Sequence, residues 1–224
     1  MIKTVRHEVR RLLSDRTAAA GIPLEPPVSE AFEAYYELLT HWNNRINLTA
    51  LPLENPVEGT IDRLFIEPLV AANAVLEGAR SWVDLGSGGG SPAIPMKVLY
   101  TGVALTMVES KTRKAAFLRE AVRELELAET TVAETRFEDL ADNFKLRDTS
   151  DVVTVRAVRP DQTLFGTAAS VLKAGGKLAI FTSFGVQTAA SGDFSIGETL
   201  SLTTSAGLAI YRRRSVPRGT KRLT

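Results

Sequence analysis

The chain contains no cysteine, only two histidines, and no apolar stretch of the length a membrane span needs. Each shortage closes off chemistry. Without cysteine there are no disulfides, no thiolate zinc sites and no thiol nucleophile, and His7 and His41 alone make a poor metal cage. No metal site is expected. A span requires about 18 uninterrupted apolar residues, and a signal peptide requires a continuously apolar core where this N-terminus alternates charged and apolar residues. The expected location is therefore the cytoplasm. An excess of charge is missing too: 27 Lys and Arg against 26 Asp and Glu leave a net charge of +1. Any affinity for a polyanion must come from local patches.

What is present fits one catalytic unit. The 224 residues, 44% hydrophobic and 24% charged, are enough for one good core with a small appended subdomain, in a soluble globular chain. The first third reads as helical. From Ser29 as N-cap, Phe32, Tyr35, Tyr36, Leu39 and Trp42 recur at helical spacing. Pro56 is placed to open a second helix, within which Pro68 should bend or split the pattern. After Gly78 short apolar runs alternate with helical stretches. The runs are Trp82 to Leu85, Ala104 to Val108, Thr131 to Ala133, Val152 to Val155 and Leu178 to Phe181. The helical stretches are Pro92 to Leu99, Arg113 to Leu125 and Gln162 to Leu172. This rhythm predicts βαβ crossovers around a buried parallel, Rossmann-like sheet, an α/β fold. The division expected is a helical cap over 1–78 and a sheet domain over 79–224. Gly185 to Gly197 reads as a loop, and Thr199 to Thr204 with Leu208 to Arg213 as a closing hairpin.

The segment richest in chemistry is Val83-Asp84-Leu85-Gly86-Ser87-Gly88-Gly89-Gly90-Ser91-Pro92, where the first strand ends and a helix begins. Glycines there let the backbone turn sharply and approach a ligand closely, at the edge where parallel sheets bind. The second run ends in Glu109, a little over 20 positions after Gly86, where a carboxylate can accept from ribose hydroxyls. Nicotinamide and S-adenosylmethionine enzymes both fit this much. Two features favour the second: a dinucleotide loop calls for glycine at position 91, which is Ser91, and the helix starts late, at Pro92. Beyond the third run, Phe137 and Glu138 either flank an adenine or belong to the core and the surface. Two basic clusters remain. One is Arg212, Arg213, Arg214, Arg218, Lys221 and Arg222; the other is Lys111, Arg113, Lys114, Arg119 and Arg123. Either is a polyanion contact or a solvated face.

Several segments together resemble the small-subunit (16S) ribosomal RNA guanine-N7 methyltransferases, the glucose-inhibited division protein B family. Trp42-Asn43-Asn44-Arg45-Ile46-Asn47-Leu48-Thr49 is similar to the family's W-N-x-x-x-N-L-T. Asp84 to Pro95 resembles its D-x-G-[ST]-G-x-G-x-P-G-I-P loop. Lys114, Phe117 and Leu118 resemble K-R-x-x-F-L, Arg136 and Glu138 an R-x-E segment, and Val155-Arg156-Ala157 the S-R-A after strand four. The likeness runs from about residue 30 to 185. Three departures stand out: Leu64-Phe65-Ile66-Glu67-Pro68 where the family has His-x-x-Asp-Ser, Ala93 for a glycine and Val155 for a serine. They lie near the expected acceptor pocket, so they bear on the substrate more than on the cofactor.

The resemblance implies a class I methyltransferase fold, a mostly parallel, twisted seven-stranded sheet flanked by helices with an N-terminal helical extension. It also implies S-adenosylmethionine as cofactor and ribosomal RNA or the small ribosomal subunit as partner, with a monomeric protein expected. Asp84, Gly86, Gly88, Ser91, Glu109, Phe137, Glu138 and Arg156 fall on cofactor positions. Asn43, Arg45, Asn47, Arg113 and Lys114 are the candidates for RNA contact. Guanine N7 has an in-plane lone pair and no proton to remove, so positioning outweighs base catalysis. Glu67 is the candidate to stabilise the charge gained by the purine, and Arg156 to hold a carboxylate or phosphate. Two alternatives stay open: a small-molecule or protein acceptor, and a non-catalytic RNA- or ribosome-binding module.

Overall fold

In a computed structural model the described residues are 2–142, 146–183 and 192–215. Two long helices lead, α1 (Ile2–Ala19) and α2 (Pro26–Asn43). Pro26 and Pro27 occupy the first positions of α2, where a missing N–H costs nothing, so the helix starts before Ser29 and Glu25 takes the cap position. Phe32, Tyr35, Tyr36 and Leu39 form its buried stripe, as their spacing predicts. Glu33 ties α2 to α1, accepting from Arg10 at 2.7 Å and from Arg6 at 3.1 Å.

A short helix α3 (Glu58–Ile61) runs through a π-helical turn (Asp62–Ile66) into α4 (Glu67–Leu76). Pro56 lies outside this helix, with Val57 as its cap. The π turn is where Pro68 leaves its mark. Pro68 has no N–H to offer the preceding turn, so the carbonyls of Arg63 and Leu64 are freed for other donors. Arg156 and Ser91 take them.

The sheet follows, with β1 (Ser81–Leu85), β2 (Ala104–Val108), β3 (Thr130–Ala133), β4 (Ser150–Arg156), β5 (Leu172–Ser183), β6 (Phe194–Ser201) and β7 (Ala206–Arg213). Their order is β3-β2-β1-β4-β5-β7-β6, parallel except where β7 joins β5 and β6. The helices between strands are α5 (Ala93–Leu99), α6 (Thr112–Glu124) and α7 (Gln162–Val171), with a 3₁₀ turn at Phe137–Asp142. The hairpin expected at the end is present, although β6 starts inside the predicted loop. Residues 185–191 of that loop, and Arg218, Lys221 and Arg222, lie outside the described residues.

Strand alternation sorts the side chains into two apolar clusters. One face carries Val83, Leu85, Val153, Val155 and Ile180 against α7. The other carries Trp82, Val152, Ala179 and Phe181, and its cluster runs without a break into Val9 of α1 and Tyr35 of α2. The N-terminal helices thus share a core with the sheet they cover. Asp84, Thr154 and Arg156 lie on this covered face: Asp84 pairs in register with Thr154, and Arg156 with Phe181.

Candidate active site

At the carboxyl end of β1 the chain turns through Gly86, Gly88 and Gly90, all at positive φ (73°, 51° and 89°). A side chain at Gly86 would be strained by that φ and would place its Cβ 2.9 Å from Val158 Cγ2. The loop is held from both sides. The buried hydroxyl of Tyr35 donates to the Gly89 carbonyl at 2.6 Å, and the Gly88 N–H donates to Glu109 Oε2 at 2.9 Å. Burial pushes the Tyr35 pKa up, so the phenol stays a donor. Glu109 Oε1 accepts from the Lys111 N–H at 2.8 Å. Each carboxylate oxygen has a second lone pair, so Glu109 fixes the loop and can still accept from a ligand.

Beneath the loop, Asp84 is 1% exposed. Thr154 Oγ1 accepts from the Trp82 indole at 2.7 Å and donates to Asp84. Burial raises the Asp84 pKa, with the Ser87 and Thr154 hydroxyls and the Arg156 charge opposing.

Arg156 crosses from the end of β4 to the π turn. Its Nη1 donates to the Arg63 carbonyl at 2.6 Å and to Ser91 Oγ at 3.1 Å, and its Nη2 to Glu67 Oε2 at 2.8 Å. The guanidinium lies 4.5 Å from the Phe181 ring centroid. Its Nε is buried with no hydrogen-bond partner among the described residues. Burial and the charge of Arg63 pull its pKa down to about 10, so it remains a cation near neutrality. The next residue, Ala157, is held at φ 59°, a strained value of the kind that collects at functional sites.

These groups meet in a cavity of about 310 Å³. Of the residues singled out from sequence, Gly86, Gly88, Ser91, Glu109, Lys114 and Arg156 line it. Asp84 does not; it supports the loop from below. Phe137 is packed against the α7-side cluster, and Glu138 pairs with Arg136 at 2.9 Å, both outside the lining. Asn43 Oδ1 accepts from the Leu48 and Thr49 N–H groups, both at 2.9 Å, so its amide oxygen shapes the loop after α2. Arg45, Asn47 and Arg113 are exposed. In the basic cluster on α6, Arg119 and Arg123 are taken up by Glu134 and Glu124, and Lys114 alone reaches the cavity. Glu67 is nearly buried between Arg63 and Arg156.

Sequence reasoning passed over Leu39, Leu48, Arg63 and Val158, which also line the cavity. Leu39 and Leu48 stood in the helical stripe and the W-N-x-x-x-N-L-T segment without a site role, and Arg63 left a signal in the acid four residues on at Glu67. The cavity combines one carboxylate, Glu109, with the cations Arg63, Lys114 and Arg156. Glu109 can accept from a ribose and the cations can take a carboxylate, and the positive-φ glycines leave room for a ligand against the backbone. The residues present fit S-adenosylmethionine. Among the described residues no cluster of three or more His, Cys, Asp or Glu could hold a metal, and no helix is long and apolar enough to cross a membrane.

A family profile described as rRNA small subunit methyltransferase G matches residues 28–184. A relative named ribosomal RNA small subunit methyltransferase G from Chloroflexus aggregans is 36% identical over 75% of this chain and 69% of its own length. Another of the same name from Roseiflexus is 37% identical over 68% of this chain and 64% of its own. The chain thus spans about two thirds of the length of these relatives. Among solved structures, a SAM-dependent methyltransferase from Aquifex aeolicus matches with a TM-score of 0.57 at 12% identity, over 78% of this chain and 98% of that one. That likeness concerns the fold, which is of the class I methyltransferase type.

Proposed function

The chain belongs to the rRNA small subunit methyltransferase G family, and from that premise we propose that it methylates N7 of a guanine in small-subunit ribosomal RNA with S-adenosylmethionine as donor. One observation carries the reading: Glu109 and Arg156 face one cavity from opposite sides of a glycine loop at the carboxyl edge of the sheet. The cofactor, when bound, supplies a methyl group on a positively charged sulfur. Glu109 would accept from its ribose hydroxyls, and the Arg156 guanidinium, which borders the cavity, would attract its carboxylate. The loop glycines let backbone and ligand touch. Leu39 and Leu48, on the helical cap, help exclude water from that cavity.

On the acceptor side no proton has to leave guanine N7, and the chain's groups need only hold the base in place. No histidine lines the cavity, which is consistent with that economy. Lys114 in the cavity lining, with the exposed Arg113 beside it in sequence and the exposed Arg45 after α2, supplies the cations for RNA phosphates. In this reading the enzyme works in the cytoplasm as a monomer, without a protein-bound metal.

The test is transfer of labelled methyl from S-adenosylmethionine to small subunits isolated from cells lacking this protein, followed by mapping. A single labelled 7-methylguanosine in small-subunit RNA is expected. Label on protein or on a small molecule would assign a different acceptor, and no label at all would favour a non-catalytic binding role.

A further inference from the structure

A second cavity, of about 690 Å³, lies beside the first and shares with it Leu51, Arg63, Ala157 and Val158. The Glu67–Arg156 ion pair stands between the two. Arg156 borders the first cavity and not the second; Glu67 borders the second and not the first. Both guanidiniums converge on a single oxygen of Glu67: Oε2 accepts from Arg63 at 2.9 Å and from Arg156 at 2.8 Å. Oε1 has no hydrogen-bond partner among the described residues, and the nearly buried Glu67 side chain borders the second cavity.

A carboxylate already matched by two cations is a weak stabiliser of further positive charge, because the site's own balance is cationic. It is, however, a rigid acceptor. We infer that the second cavity receives the acceptor guanine and that Glu67 Oε1 reads its Watson–Crick edge. The inference rests on the guanine methylation proposed above and adds the residue that selects the base.

Guanine presents two adjacent donors on that edge, N1–H and the exocyclic amine, and Oε1 has two lone pairs to meet them. Adenine presents the N1 lone pair in the same place, and a carboxylate repels it. Past N1 comes O6, an acceptor. Arg63 lines both cavities, donates only one N–H to Glu67, and has further donors for O6. N7 lies on the next edge, free to face the opening between the cavities. A base must leave its stack to enter such a pocket, and recognition through the Watson–Crick edge is available only to a base that has done so.

The test uses the full chain. NMR-detected titrations with GMP, IMP and AMP give relative affinities, and calorimetry gives the affinity for S-adenosylmethionine. Wild type should bind GMP roughly tenfold or more tightly than AMP, with IMP between them because it lacks the amine. Glu67→Gln replaces one oxygen by a donor, and should shrink the preference to about threefold or less while cofactor affinity stays within threefold. Equal binding of GMP and AMP by wild type would overturn the inference. So would a Glu67→Gln protein with its preference intact, or one whose cofactor affinity falls in step with its nucleotide affinity, since Glu67 would then act through Arg156. The outcomes separate from those of the broader proposal: small subunits methylated at guanine N7 by a protein that does not discriminate these nucleotides would sink this inference alone.

Discussion

Two aspartates on neighbouring strands sit at opposite ends of the sheet and meet opposite environments. Asp151, at the amino end of β4, accepts from the Arg80 and Ser81 N–H groups, the Ser81 hydroxyl and the Lys173 ammonium. Burial alone would raise its pKa; those donors outweigh burial and bring it down to about 2. Asp84, at the carboxyl end of β1, is more deeply buried, and burial wins there, pushing its pKa up. The amino end is a saturated clasp. Among the described residues the carboxyl end is less complete: an Nε on Arg156 and an oxygen on Glu67 without partners, and three glycines and Ala157 at positive φ. Groups left unsatisfied and backbone left strained cost stability, and they collect where a ligand can satisfy them.

The strongest way to break this contrast is Arg156→Ala. It removes one of two cations from a nearly buried acid and empties the donor side of the cavity. We expect a loss of about 3 kcal/mol in folding stability with the fold retained, and at least a hundredfold weaker binding of S-adenosylmethionine, read by denaturant titration and calorimetry. Gly86→Ala acts on the loop backbone and on the Val158 side chain against it. Its positive φ and the 2.9 Å approach to Val158 predict roughly thirtyfold weaker cofactor binding, following a strain of about 2 kcal/mol.

Asp151→Asn tests the other end. A carboxylate held below its usual range stabilises the fold above about pH 4 and loses that contribution as pH falls through about 2. Wild type should therefore be up to about 2 kcal/mol more stable than the variant near neutrality, the gap closing in acid, with cofactor affinity unchanged. Urea melts across pH check this. The smallest effect is expected for Arg113→Ala on the exposed face of α6: a few-fold loss of small-subunit affinity, and a salt dependence shallower by about one phosphate contact.

The sheet was readable because buried parallel strands are short apolar runs. Ala104 to Val108 is bounded by Gly102 and Glu109 and appears with the predicted limits. β6 escaped in part because Phe194–Ser201 is a mostly exposed edge strand whose opening alternation, Phe194 and Ile196, is cut short at Gly197, where its pairing with β7 shifts register. The glycine loop and Glu109 were legible because backbone freedom and a strand-end carboxylate are local features. The Glu67–Arg156 bridge was not, because 89 positions separate its partners and only the π turn before Pro68 brings them together. Asn43 likewise reads as a ligand-facing amide in the sequence, while the fold employs its oxygen on Leu48 and Thr49.

The contrast between the two ends can be put to one measurement, calorimetric titration of S-adenosylmethionine into wild type, Gly86→Ala and Asp151→Asn. One equivalent should bind to wild type and to Asp151→Asn with the same affinity, and far more weakly to Gly86→Ala. Binding to Gly86→Ala as tight as to wild type, or no binding to wild type, would contradict a cofactor seated on the glycine loop.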